Sequence, residues 1–162
     1  VLIEGFSRFN AEYPESKLLL FGYGEQQSHL EQMVSDLNLT KTVEFRGERR
    51  EISEVFDEID IFCLFSLWEG FPNVLAEALA YGVPSAGFET CDGVNDLIQD
   101  GINGWKIPFD DENLSAKALL SRAYIGFKSG QVSATACQNS VSKYAGSEIY
   151  MEWEKVLRDC LY

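Results

Sequence analysis

The sequence is short of the residues that most often build metal and nucleophile sites. It has one histidine, His29, in a polar helical stretch, so neither histidine-based catalysis nor a histidine metal site is expected. Its four cysteines, Cys63, Cys91, Cys137 and Cys160, form no C-x-x-C pair. Cys63 lies in an apolar run, where a thiol behaves as a small hydrophobe, and a reducing, cytoplasmic setting is the simplest reading. No apolar run approaches the roughly 20 residues that cross a bilayer. The formal glycosylation triplets at Asn38 and Asn113 would matter only behind a secretory signal. A starting methionine is also lacking. Val1 to Phe9 reads as a helix in progress, with no cap and no strand before it, as in a piece of a longer protein.

Positive charge is scarce. Thirteen basic residues face 26 acidic ones, for a net charge of −13. Such a surface disfavours nucleic acid and anionic lipid as partners, and its simplest consequence is solubility. The deficit is concentrated. No Lys or Arg occurs between Arg50 and Lys106, where eleven Asp and Glu residues lie.

The 162 residues suit one domain, and 46% hydrophobic with 13% aromatic content supplies a core. Helical and strand periodicities alternate. A helix over 1–12 precedes the strand Lys17–Phe21, closed by Gly22-Tyr23-Gly24. A polar helix over 25–37 presents Leu30, Met33, Val34 and Leu37 on one face. The strand Thr42–Phe45 ends at Arg46-Gly47, and a short helix over 51–57 leads to the strand Ile59–Phe65. A helix over 74–81, the strand Pro84–Phe88, a helix over 94–99 and the strand Gly104–Ile107 follow. Pro108 and Asp110-Asp111 introduce a helix over 112–125, and further helices are expected over 131–141 and 147–161. Short strands that are apolar on both faces, alternating with helices, specify a doubly wound, Rossmann-like α/β fold with a parallel sheet. No repeat, linker or domain boundary is visible.

The most informative run is Trp68-Glu69-Gly70-Phe71-Pro72-Asn73-Val74-Leu75-Ala76-Glu77. It leaves the Ile59–Phe65 strand at the carboxyl end, where open parallel sheets bind ligands, and turns into a helix. Asn73 is expected to cap that helix. The backbone N–H groups of Val74, Leu75 and Ala76 would then be free to cradle a phosphate at the positive end of the helix dipole. Gly70 would let the backbone approach a ligand closely. Two carboxylates facing a pyrophosphate would repel it, but they could accept hydrogen bonds from sugar hydroxyls, Glu77 from a ribose and Glu69 from a hexose. On spacing alone, two surface glutamates explain the pattern better.

The run Glu69 to Glu77, continued by Ala78-Leu79-Ala80-Tyr81-Gly82-Val83-Pro84, resembles the E-x7-E signature of the retaining GT-B glycosyltransferases of family 4, the group 1 type. Leu19-Leu20-Phe21-Gly22-Tyr23-Gly24 and Val43-Glu44-Phe45-Arg46-Gly47 look like the second and third strands of that family's C-terminal domain. Asp100 to Pro108 looks like the loop and strand after the site. Cys91 to Ile98 resembles the branch that builds bacterial surface polysaccharides. The similarity covers nearly the whole chain, in order.

The resemblance implies the C-terminal, donor-binding half of a two-domain enzyme. Such enzymes move a hexose from a nucleotide diphosphate sugar to a glycan or lipid-linked acceptor, with retention of configuration and without a metal or other cofactor. Glu69 would contact the hexose as the catalytic residue and Glu77 the ribose. The backbone of Gly70, Phe71, Asn73, Val74 and Leu75 would hold the diphosphate, and Arg46-Gly47 would lie against the base. The acceptor would bind an N-terminal domain outside this chain, at the inner face of the cytoplasmic membrane.

Three departures bear on this expectation. Asp96 stands where the family usually has glutamate, and it is read as a residue near a helix start. The family's Arg and Lys, which neutralise the departing diphosphate, follow a first strand that would precede Val1. The fragment is therefore expected to bind donor weakly and not to transfer sugar alone. In a 3-2-1-4-5-6 order that strand is central, so the Leu18–Phe21 and Ile61–Phe65 strands should lack their shared neighbour.

Other motifs are weaker. Gly22-Tyr23-Gly24 is only part of a G-x-G-x-x-G fingerprint, with Gln27 at the last position, which argues against an oxidoreductase dinucleotide fold. Glu58-Ile59-Asp60 sits at the wrong end of its strand for metal chemistry. Trp68 suits either stacking on a sugar or packing beneath the loop. The contrasting functional class is a nucleotide-sugar-binding or regulatory module without catalysis.

Overall fold

The computed structural model describes residues 1–146 and Met151; the helix expected over 147–161 lies outside them. The described elements follow the expected alternation. They are α1 (Leu2–Asn10), β1 (Leu18–Phe21), α2 (Gln27–Asp36), β2 (Val43–Gly47), α3 (Ile52–Phe56), β3 (Phe62–Leu64) and α4 (Asn73–Tyr81). After these come β4 (Ser85–Phe88), α5 (Asp92–Leu97), β5 (Gly104–Ile107), α6 (Glu112–Lys128) and α7 (Ala134–Val141), which runs into a 3₁₀ turn over Ser142–Tyr144.

All strand pairs are parallel, but they form two sheets. β1 pairs with β2, with Leu18 opposite Val43 and a register irregularity between Leu20 and Phe21. β3 pairs with β4 and β4 with β5, with Phe62 opposite Ser85 and Ser85 opposite Gly104. No ladder joins β1 to β3 among the described residues. The order β2-β1, gap, β3-β4-β5 is the one expected when the central strand of a doubly wound sheet is missing. β3 is also shorter than the Ile59–Phe65 run suggests. A strand needs ladder partners, and this one has them on a single edge.

Helices cover both faces of the larger sheet, and the alternation along β3 shows it. Ile61, Cys63 and Phe65 pack with Ala116, Leu119 and Ala123 of α6. Phe62 and Leu64 pack with Leu75 and Leu79 of α4 and with Val94 of α5. β4 is buried along its whole length, as a central parallel strand must be. α1 lies against α6, and its Ile3, Phe6 and Phe9 join Leu18, Val43 and Val34 in the core beside the smaller sheet. The α6 start is capped as expected, with Leu114 N–H donating to Asp111 Oδ1 at 2.9 Å.

A buried asparagine ties the lower end of the larger sheet. Asn103 accepts from the Gln99 N–H at 2.8 Å and donates to the Leu97 carbonyl at 2.8 Å and to Ser140 Oγ at 2.7 Å. It thus links the end of α5, the start of β5 and α7.

Candidate functional site

The Glu69 loop leaves β3 at its carboxyl end and turns into α4, as the sequence suggests. The loop is held at three points. Ser66 Oγ donates to Glu69 Oε1 at 2.8 Å, which fixes the carboxylate over the strand end. Cys91 Sγ points at the Glu69 carbonyl, 3.6 Å away. Phe71 packs edge-on against Tyr144, with ring centroids 5.2 Å apart. Gly93 completes the seat, because it lets the N-terminal turn of α5 close directly onto Gly70 and Pro72. The sequence reading gave Ser66, Cys91, Gly93 and Tyr144 no role at this loop. Only the position of Ser66, three residues before Glu69, offered a signal.

The helix start differs from the expectation at one residue, and this moves the cradle. Pro72, not Asn73, is the N-cap; Asn73 is the first helical residue and its side chain makes no capping bond. Leu75 N–H and Ala76 N–H both donate to the Pro72 carbonyl, at 3.0 and 3.3 Å. They are therefore spoken for, and Leu75 is fully buried. The donors left open at the helix start are the N–H groups of Asn73 and Val74, since Pro72 has none. The physical reason is the proline. It cannot donate, but its extended backbone offers its carbonyl to the first turn.

Glu77 is the fifth residue of α4 and exposed, on the same face as exposed Asn73 one turn earlier. Leu75, Ala78 and Leu79 hold the opposite face in the core. Helical side chains lean toward the N-terminus, so Glu77 is directed toward the open donors at Asn73 and Val74. Gly70 is exposed, and a Cβ built there would meet nothing within 4 Å. Space for a ligand therefore lies over the loop. Trp68 projects into solvent at 86% exposure, so it does not pack beneath the loop.

Arg46 and Gly47 end β2. Gly47 has φ +66°, a conformation glycine adopts without strain; it pairs with Phe21, and Arg46 before it is the extra residue of the bulge. Arg46 is held by two carboxylates, Glu44 at 3.2 Å and Glu58 at 3.3 Å. Lys17 donates to Glu44 at 2.8 Å, and this hydrogen bond, with the charge of Arg46, holds the Glu44 carboxyl below its usual range. Glu58, which also pairs with Arg49, thus belongs to a charge network on β2. Asp96 is exposed near the end of α5, not at its start. Lys106, the next cation in the chain after Arg50, is bonded to Asn95 Oδ1 at 3.1 Å.

A cavity of about 730 Å³ lies away from the Glu69–Glu77 loop. It lies between β1 and β3, with Arg46 and Val74 at its margin. No described helix is long and apolar enough to cross a membrane.

The chain has relatives among known glycosyltransferases. An uncharacterized glycosyltransferase of Methanocaldococcus jannaschii is 30% identical over 102 residues, which are 63% of this chain and 25% of that protein. An amylovoran biosynthesis glycosyltransferase of Erwinia amylovora is 35% identical over 109 residues, 62% of this chain and 26% of that protein. The pneumococcal O-GlcNAc transferase GtfA, solved in complex with UDP and GlcNAc, shares the fold with a TM-score of 0.83 at 22% identity, over 99% of this chain and 33% of that one. The chain thus spans a quarter to a third of the length of these proteins. The α/β architecture with parallel strands is that of the GT-B glycosyltransferases. The family profile described as Glycosyl transferases group 1 matches residues 1–122, and the chain belongs to that family.

Proposed function

We propose that this chain is the donor-binding, C-terminal domain of a retaining glycosyltransferase that moves a hexose from a nucleotide diphosphate sugar to a glycan or lipid-linked acceptor. The observation that carries this reading is the α4 start. Two open backbone donors, at Asn73 and Val74, lie at the positive helix end, and Glu77 leans toward them from one turn later. A diphosphate takes the donors, with the backbone of Gly70 and Phe71 beside it. The Glu77 carboxylate accepts from ribose hydroxyls, and Glu69, held by Ser66, accepts from the hexose. Exposed Trp68 offers an apolar face to the sugar ring. Arg46 and Gly47 border the base.

When the donor's anomeric C–O bond breaks, the electron pair leaves with the diphosphate, the acceptor hydroxyl oxygen forms the new bond, and its proton passes to the departing diphosphate. The growing charge needs donors in place beforehand. The α4 terminus offers about half a positive charge. Arg46 is neutralised by Glu44 and Glu58, and Lys106 is held on Asn95. The isolated 162 residues should therefore bind donor without transferring sugar. Binding should need no metal.

Titration with UDP, GDP and ADP sugars, with and without EDTA, tests the reading. One nucleotide series should bind, and EDTA should leave its affinity unchanged. Failure of every nucleotide to bind to the folded chain would remove the donor-binding role.

A further inference from the structure

Resting on the donor-binding reading above, we propose that Lys143, just past the end of α7, is a diphosphate-binding residue and meets the phosphate on the sugar side. The course of α7 brings it to the site. A Cβ built on Gly82, the C-cap of α4, would stand 3.0 Å from Cβ of Ala134, the first residue of α7. At the other end Tyr144 meets Phe71, with ring centroids 5.2 Å apart. The two helices therefore run antiparallel, with Leu75, Leu79, Cys137 and Val141 in the core between them. The 3₁₀ turn that follows α7 comes out beside the start of α4, next to the Glu69 loop.

Tyr144 seats the cation. It is half-buried against Phe71, and Lys143 Nζ stands over its ring, 4.8 Å from the centroid. Lys143 is exposed and enters no ion pair among the described residues. The carboxylates around the loop, Glu69, Glu77 and Asp92, thus leave it uncaptured. By contrast, Arg46 and Arg49 are each paired with Glu58, and Lys106 is held on Asn95. A lysine carries three donors on a flexible four-carbon stem, so the ammonium turns from the ring to an anion on the loop without moving the backbone.

Charge balance calls for a cation at this point. Antiparallel packing sets the negative end of α7 beside the positive end of α4. Each terminus carries about half a charge, so the two oppose each other for an anion that lies near both. A lysine just past α7 offsets the negative end and adds attraction of its own. A cation that only offset the α7 dipole would steady the helix and favour no ligand. The order of groups selects the phosphate. Glu77 serves the ribose, the Asn73 and Val74 amides the diphosphate, and Glu69 the hexose. Phe71 stands between those amides and Glu69 in the chain, so a cation beside Phe71 meets the phosphate nearer the hexose.

Calorimetric titration of the 162-residue chain with UDP, GDP and ADP, and with UMP, GMP and AMP, tests the assignment. Lys143→Met keeps the stem and removes the charge. In the series that binds, it should weaken the diphosphate about 10-fold, the scale of one hydrogen bond to a charged group, and leave the monophosphate within about 2-fold. Lys143→Arg should restore most of the loss. Lys41→Met is the control: it removes a charge before the amino end of β2, away from the loop, and should change neither affinity. Equal diphosphate affinity in the parent and Lys143→Met would overturn the proposal. So would an equal weakening of monophosphate and diphosphate, which would make Lys143 a support of the loop, or an equal loss in Lys41→Met, which would mark a diffuse effect of net charge. The two readings fail separately. If the parent binds and Lys143→Met matches it, only Lys143 loses its role. If no nucleotide binds the folded parent, the donor-binding role falls and Lys143 falls with it.

Discussion

The carbonyl oxygen of Gly70 lies where a side chain on Gly93 would have to go. A Cβ built on Gly93 would stand 2.2 Å from that oxygen and 2.4 Å from Cδ of Pro72. The α5 start and the Glu69 loop are therefore locked together by the absence of one carbon. The position of the α4 donors depends on this contact, because Pro72 sets where the helix begins.

The Gly93→Ala substitution should lower stability by about 1–3 kcal/mol, the usual result of forcing an atom into a packed contact. It should also weaken nucleotide diphosphate binding, because the loop must move to admit the methyl group. Gly70→Ala is the matched control. Its Cβ meets open space, so stability should change by no more than about 0.5 kcal/mol, while a ligand lying on the backbone loses affinity. Urea unfolding and calorimetric titration of the two variants separate these effects. Equal stability of both would contradict the close contact.

Much of this was legible in the sequence because the signals were local. Alternating apolar runs located the five strands among the described residues, and the gap beside Leu18–Phe21 followed from a strand order. The cap of α4 was misplaced by one residue because asparagine is an intrinsic cap former, whereas in the fold the Pro72 carbonyl takes the first-turn amides. The loop's supports were invisible for a different reason. Cys91, Gly93 and Tyr144 lie 22 or more residues from Glu69, and only the turn of the chain around β4 and through α7 brings them to the loop. The pairing of Arg46 with Glu58 joins the end of β2 to the approach to β3, and no local pattern announces it.

Glu77→Ala should leave stability within about 0.5 kcal/mol of the parent, because the side chain is exposed and its helix face is not in the core. Removing a charged acceptor of ribose hydroxyls should weaken a nucleotide diphosphate sugar by about 10- to 100-fold, equivalent to about 1.5–3 kcal/mol. Calorimetric titration gives the number. Equal affinity for parent and variant would take Glu77 out of the ribose role and leave the helix-end donors as the remaining anchor.

Asn103 carries more of the fold than its polar side chain suggests. It is fully buried and satisfies the Gln99 N–H, the Leu97 carbonyl and Ser140 Oγ. Asn103→Ala strands buried backbone groups at the end of α5, at about 1–3 kcal/mol for each group left unpaired. A loss of about 2–4 kcal/mol is therefore expected, read from urea unfolding. Asn103→Asp keeps the acceptor for Gln99 but loses the donor to Leu97 and places a charge in the core, so it should be no more stable than the alanine variant. A neutral result for either would show that the three elements hold without this hub.

Alkaline pH should destabilise the fold, and the groups responsible can be named. Burial pushes the Cys137 thiol up to about 11 and the Cys63 thiol up to about 12. Tyr81 is raised by the hydrogen bond it donates to Asp57, and Tyr124 by the bond it donates to Glu15. In each case the folded protein holds its proton more tightly than the unfolded chain. The unfolded chain therefore binds fewer protons above pH 9, and stability falls as pH rises. The contribution is complete below about pH 9 and, for the thiols, is lost progressively up to about pH 11–12. Cys137 is wholly buried, and its share approaches about 2 kcal/mol at pH 10.5, at about 1.4 kcal/mol per pH unit. Cys63 is only half-buried, at the wall of the cavity between β1 and β3, so its share is discounted. Urea unfolding at pH 8.0, 9.5 and 10.5 should show the decline, and Cys137→Ala should flatten it, even though the variant starts from a lower stability because it leaves a small cavity. An unchanged slope in that variant would assign the alkaline loss to Cys63, Tyr81 and Tyr124, and Tyr→Phe changes at the two tyrosines then separate their share from that of Cys63.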